Sequence, residues 1–203
     1  FMVPKIRFSM FMKSWELYKL TDRVMLYSGL TYSPNDICSF GTLVLRSSNV
    51  KEGEISLLDN VYVKTAVVNS ENVNVGDIIV VVRNGSRNLI GKHALIKYPM
   101  RDTVIGAFMT GIRSDIPSFT NALLSSKRFN QEVEKNLGAT INQITNCAFN
   151  SMSFLYPNND EQIILGNFFN SLDSIISLTS KKIEKLKQTL MGCMQTMFPQ
   201  EGE

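Results

Sequence analysis

Cysteine, histidine, long apolar runs and one-sided charge are all scarce in this sequence, and each scarcity narrows what the chain can be. Cys38, Cys147 and Cys193 are the only three cysteines, scattered and odd in number, with no Cys-x-x-Cys pair. Neither a zinc site nor a disulfide framework is indicated, and a reducing cytoplasm is the expected compartment. His93 is the single histidine, with no ligand-type partner at helical or turn spacing, so a surface or structural role is expected and no metal centre. The longest purely apolar run, Ile78 to Val82, has five residues, far short of a bilayer span. Lys5, Arg7, Lys13 and Glu16 interrupt the first stretch, so no secretory leader is expected, and the initial Phe1 suggests a piece cut from a longer chain. The net charge of +3 is too mild to imply nucleic acid by itself.

What is present is enough apolar residue for a core. In 203 residues, 44% are hydrophobic and 19% charged, which fits one domain of ordinary size or one domain with an appendage. Charge is distributed unevenly. Between residues 64 and 101, Lys64, Arg83, Arg87, Lys92, Lys97 and Arg101 face only Glu71 and Asp77. Such a stretch can follow a phosphate backbone or form a solvated basic face, and composition leaves both open.

The pattern changes near Pro157. Before it, β-rich runs alternate with turns, which predicts a mixed α/β globule of the α+β kind over residues 1–157. Strands are expected at 41–45, 55–64, 78–82 and 103–113, with a turn at 51–54. One or two helices are expected over 117–136, with Phe119, Leu123, Leu124 and Phe129 on one side. Met25, Met100, Met109 and Met152 read as core filler. After Pro157, Leu165, Phe169, Leu172, Ile176, Thr179, Ile183, Leu186, Leu190, Cys193 and Met197 follow at alternating spacings of four and three. This heptad seam predicts a long helix over 158–198, capped by Asn158, Asn159 or Asp160 and stopped by Pro199 with Gly202; residues 199–203 read as a linker or tail. From Asp160 to Met197 it would be roughly 57 Å long, too long to bury its stripe on the globule, so it calls for a partner helix.

Chemistry-bearing motifs are few. Gly85 to His93 invites a phosphate-loop reading, but five residues separate Gly85 from Gly91, and His93 stands where Ser or Thr should follow Lys92. A loop displaying Arg83, Asn84, Ser86, Arg87 and Lys92 fits better, since arginine pairs with guanine, asparagine with adenine, and all can meet phosphate. Arg46, Ser48 and Asn49 form either a second DNA-facing loop or an ordinary polar turn. Arg113 can reach phosphate or pair with Asp115; Lys64 and Lys97 are weaker candidates. Lys181, Lys182, Lys185 and Lys187 read as a solvated helix face, and Glu161-Gln162 as helix-start residues suited to the dipole. No nucleophile–base set, paired acid motif or methyl-donor loop is recognisable, so no catalytic residue is expected.

Phe154-Leu-Tyr-Pro-Asn-Asn-Asp-Glu-Gln-Ile163 with Phe168-Phe-Asn-Ser-Leu-Asp-Ser-Ile175 resembles a signature of type I restriction–modification specificity subunits. Lys181 to Lys187 and Met194 to Phe198 resemble the rest of that family's long helix. Gly138 to Ile144, Gly76-Asp77, Val80 to Gly85 and Ile90 to Lys92 resemble its target recognition domain, and Val3 to Phe8, Phe11 and Trp15 its opening segment. The resemblance implies a non-catalytic reader of one half of a bipartite double-stranded DNA target. It also implies methyltransferase subunits that use S-adenosylmethionine and motor–nuclease subunits that use ATP and Mg, with no cofactor in this chain and no membrane. Such subunits run domain–helix–domain–helix, so an N-terminal half is expected. Its helix would pair with a second half or, antiparallel, with its own copy through Leu165, Phe169, Leu172, Ile176, Ile183, Leu186, Leu190 and Met197. A coiled-coil adaptor whose globule binds protein is the rival reading. An enzyme with a site assembled from distant residues comes third.

Overall fold

The apolar run from Ile78 to Val82 lies at the centre of the molecule, buried on both faces. The computed structural model describes residues 4–137 and 142–198. Its strands are β1 (Glu16–Lys19), β2 (Val24–Ser28), β3 (Ile37–Cys38), β4 (Thr42–Leu45), β5 (Val50–Lys51), β6 (Glu54–Ile55), β7 (Val61–Val63), β8 (Ile78–Val81), β9 (His93–Leu95), β10 (Thr103–Ile105) and β11 (Met109–Ser114). Then come α1 (Pro117–Leu124), α2 (Lys127–Asn136), α3 (Asn146–Ser151), β12 (Ser153–Tyr156) and α4 (Asn159–Thr196).

One four-stranded antiparallel sheet has the order β2-β11-β8-β9, and a second has the order β10-β4-β7-β3 with β10 parallel to β4. Alternation along β8 explains why an unbroken apolar run was needed. Ile78, Val80 and Val82 enter a core with Phe119, Phe129, Phe149 and Phe154, whereas Ile79 and Val81 enter another with Leu43, Leu45 and Ile105. The mixed sheet-and-helix globule followed by a long helix agrees with the expectation.

Three local expectations need correction. Residues 103–113 are not one strand: β10 belongs to one sheet and β11 to the other, and the chain crosses over at Gly106. A Cβ on Gly29 would lie 2.1 Å from the Gly106 carbonyl oxygen, so the crossover depends on a backbone-to-backbone approach. Residues 55–64 likewise split into β6 and β7. The β5–β6 hairpin turns through Glu52 and Gly53, both at positive φ. Met25 is 62% exposed on the edge strand β2, whereas Met109 and Met152 are buried.

Helix α4 starts where the sequence places it. The Asn158 side chain caps it by accepting from Glu161 N at 2.9 Å, and Asp160 and Glu161 stand in the positive first turn. Its opening turns are fastened to the globule: Gln162 Nε2 donates to Pro157 O at 2.8 Å, and Gly166 lies against α1. Beyond Asn170 no described residue is buried. Gly166 marks the side of α4 turned to the domain. On a helical wheel the heptad seam is centred roughly 120° from that side. Leu165 still packs partly on the core, but beyond it the seam is open, with Ile176 at 63%, Leu186 at 59% and Leu190 at 60% exposure. The expected stop at Pro199 and Gly202, and most of the Gly138–Ile144 motif, lie outside the described residues.

Candidate nucleic-acid interface

The end of β8 is held from two sides. Val82 N and Arg83 N both donate to Phe108 O, at 3.0 and 3.2 Å. Opposite, Ile144 N donates to Val82 O at 2.8 Å and Asn84 N to Asn142 O at 3.4 Å. Asn84 then bridges to a third segment, its Nδ2 donating to Ser47 Oγ at 2.9 Å while its Oδ1 accepts from Ser86 N. The two loops singled out in the sequence, around Arg46 and around Arg83, thus share one edge of the molecule. Arg83 is exposed, with its guanidinium carbon 5.0 Å from the Phe108 ring centroid and no hydrogen bond or ion pair from its side chain among the described residues. Beside this edge is an open hollow of about 500 Å³ whose lining includes Ser28, Thr31, Gln143, Thr145 and Asn146. It presents hydroxyls and amides, with no charged side chain.

Other candidates are committed elsewhere. Asn49 is wholly buried: its Oδ1 accepts from Arg46 N, and its Nδ2 donates to Ser56 O and Asp59 O at 2.9 and 3.1 Å. It shapes the turn and has no polar atom left for a base. The Ser48 hydroxyl is buried without a partner among the described residues. Arg46 pairs with Asp59 at 2.9 Å. Arg113 does not pair with Asp115; it binds Asp77 at 3.0 Å, also reaches Glu71, and lies over the Tyr27 ring. Its hydrogen bond to Asp77 pushes its pKa up, and burial with the Asp77 hydrogen bond does the same to the Tyr27 hydroxyl. Lys64 is exposed and donates to Asn35 O at 3.0 Å.

The predicted loop divides. Arg83, Asn84 and Ser86 face the edge described above. Arg87 pairs with Glu134 of α2 at 3.0 Å and, with exposed Lys92, lines a second cleft of about 950 Å³ between the domain and α4. Asn170, Asp173 and Lys181 stand on its helix side. His93 lies at the same cleft, its Nδ1 against Gly91 O and its Nε2 against Ser125 Oγ, both at 3.1 Å, with Phe129 edge-on. Burial pulls its pKa down. Among the described residues, no group of three or more His, Cys, Asp or Glu side chains could hold a metal ion, and no helix is long and apolar enough to cross a membrane.

Sequence reasoning missed Phe108, Ser47 and Gln143. Phe108 had a signal: reading Gly106-Ala-Phe as a turn, rather than mid-strand, would have left an aromatic at its tip.

This arrangement of sheets and terminal helix is the fold of solved specificity subunits. The crystal structure of the HsdS subunit from Thermoanaerobacter tengcongensis matches with a TM-score of 0.60 and 16% identity, over 93% of this chain and 50% of that one. That of the type I restriction–modification S subunit from M. genitalium matches at 0.60 and 13% identity, over 92% and 46%. Curated relatives agree: the specificity subunit of the type I restriction enzyme StySPI of Salmonella potsdam is 23% identical over 195 residues, and that of EcoKI of Escherichia coli K12 is 24% identical over 195. The model of the type I restriction modification DNA specificity domain matches residues 12–188, and the chain belongs to that family. It covers 42% of the length of those two relatives. These matches favour the specificity reading over the adaptor.

Proposed function

We propose that this chain reads one half of a split duplex DNA target for a type I restriction–modification complex and supplies no chemistry of its own. The observation that carries this is the joined loop edge, where Asn84 ties the Arg46 loop to the Arg83 loop and Arg83 meets no carboxylate among the described residues. Loops offering an exposed arginine beside neutral donors and acceptors suit base reading, while the exposed Lys64 suits phosphate. Methyltransferase subunits would bring S-adenosylmethionine, and motor–nuclease subunits ATP and Mg.

The exposed seam of α4 is the spacer between readers. Its spacings are symmetric about Lys181, pairing Leu165 with Met197, Phe169 with Cys193, Leu172 with Leu190, Ile176 with Leu186 and Thr179 with Ile183 in an antiparallel twofold dimer. That register sets Asp173 beside the partner's Lys187 twice, against a single Lys182 contact across the axis; a parallel pair would set Lys182 against the partner's Lys187 twice. Two identical readers would then select an interrupted palindrome, unless a second, different half takes the partner's place.

A salt-dependent mobility shift of duplex DNA by the chain assembled with its methyltransferase subunits is expected. The chain alone, given DNA, S-adenosylmethionine, ATP and magnesium, should neither methylate nor cut. Absence of any DNA binding, or turnover traceable to this chain, would overturn the proposal.

A further inference from the structure

Eight arginines are present, and they differ in what their guanidinium groups are already doing. Arg7, Arg46, Arg87, Arg113 and Arg128 each hold a carboxylate within 3.0 Å. Such a fork can grip a base only by giving up its acid. Of the remaining three, Arg23 is stacked on Tyr18 with Tyr156 nearby, and Arg101 is in an exposed turn. Among the described residues, Arg83 alone combines a fork without a carboxylate partner, an aromatic ring beneath it and a position where several loops converge.

We infer that Phe108 positions the Arg83 guanidinium to read a guanine, so that this pair of residues selects one G·C base pair of the target. The inference rests on the DNA-reading proposal above.

The geometry supports a paired unit. The Phe108 carbonyl accepts from Arg83 N, so ring and guanidinium are carried by residues bonded directly across the loop. Pairing with residues 142–144 on the other side prevents the Arg83 backbone from swinging away. A Cβ on Gly106 would contact Val44 Cγ1 at 3.4 Å, so the turn bearing Phe108 rests on the second sheet. Phe108 itself is 53% exposed, so its ring is open to a cation or a base. A guanidinium lying on a ring face loses freedom before binding, which lowers the ordering cost of a bidentate contact. The planar guanidinium fork offers the paired donors that match guanine O6 and N7. Loss of a phosphate contact weakens every sequence about equally, whereas loss of a bidentate guanine contact relaxes preference at one position; Arg83→Lys keeps the charge and removes the planar fork.

That contrast sets the experiment. The chain assembled with its methyltransferase subunits is used to select duplexes from a randomised pool, comparing wild type with Arg83→Lys, Phe108→Ala and Phe108→Tyr. Wild type should fix a G·C pair at a position where Arg83→Lys and Phe108→Ala both lose about tenfold to a hundredfold of preference, with the other positions retained. Phe108→Tyr, which keeps the ring, should keep the preference. In an Arg83→Lys background, Phe108→Ala should change that position no further. An unaltered motif in Arg83→Lys or Phe108→Ala overturns the inference and leaves the DNA-reading proposal standing. Uniform loss at every position with a lowered melting temperature in Phe108→Ala also overturns it, since that is a folding role. A wild-type complex that selects no motif defeats the proposal and the inference together.

Discussion

Arg7 and Glu161, 154 positions apart, meet in a two-point ion pair in which Nε donates to Oε1 and Nη2 to Oε2, both at 2.7 Å. The Glu161 side chain is 1% exposed and also accepts from Trp15 Nε1 at 3.3 Å. Arg7 reaches Lys13 O as well, and the neighbouring Phe8 ring stands edge-on to Phe168. The hydrogen bond to Glu161 raises the Arg7 pKa, so the guanidinium stays charged. The opening segment is thereby strapped to the base of α4, which holds the helix at its exit from the globular domain. Glu161→Ala should lower the melting temperature clearly, because it strands a charged partner. Asp160→Ala, one residue earlier and exposed, should lower it far less. Scanning calorimetry of the two variants compares them directly, and equal shifts would show that the strap contributes nothing special.

Gly166 and Gly192 of the same helix should respond oppositely to alanine. A Cβ at Gly166 would lie 2.4 Å from Ser118 Oγ and 2.6 Å from Phe119 N, whereas at Gly192 nothing lies within 4 Å. Gly166→Ala should cost about 1–3 kcal/mol by overpacking α1. Gly192→Ala should add up to about 1 kcal/mol through helix propensity. Urea titration of each variant reads the sign.

Asn49 and Arg83 separate architecture from reading. Asn49→Ala removes three buried hydrogen bonds of its turn and should destabilise the fold by about 1–3 kcal/mol. Arg83→Ala should leave the melting temperature almost unchanged while weakening cognate DNA by about 1–3 kcal/mol. Melting curves paired with binding isotherms at low temperature would expose the reverse assignment.

Burial lowers the His93 pKa below its ordinary value of 6.5, against smaller opposing effects from the Gly91 and Asn121 backbone and the Asp173 carboxylate. The unfolded chain therefore takes up a proton more readily than the folded one. This contribution to stability is complete above about pH 6.5 and declines as pH falls through the lower folded value. His93→Gln should flatten that part of the profile in denaturation series between about pH 8 and pH 5. A slope unchanged by the substitution would assign it to other groups.

For the seam, Ile183→Glu with Leu186→Glu should yield a monomer with a folded recognition domain, where the unaltered chain scatters light as a dimer. Reversing Asp173 to Lys should weaken association, and adding Lys187→Asp should restore it if the helices run antiparallel. A monomeric unaltered chain at micromolar concentrations would leave the seam for a different partner.

Much of this was legible in the residues. The cap at Asn158, the acidic first turn and the seam mark α4 to within a residue at its start and two at its end, because helix capping and periodicity act over a few positions. Burial of Ile78 to Val81 on both faces follows from an unbroken apolar run between turn signals. The loops near Arg46 and Arg83 could be singled out from polar composition after a strand, and the signature from Phe154 to Ile175 carried the family. The role of each polar side chain could not be read in this way. Asn49 is as suitable for adenine as Asn84 until the fold buries it, and Arg113 turns from Asp115, two positions away, to Asp77, 36 positions away. Arg83 and Phe108 face each other because the chain changes sheets at Gly106, and Arg7 reaches Glu161 because β1 pairs with β12. Local rules determine which segments are helix, strand or loop; only the meeting of distant segments decides which charges are neutralised and which are left free to bind.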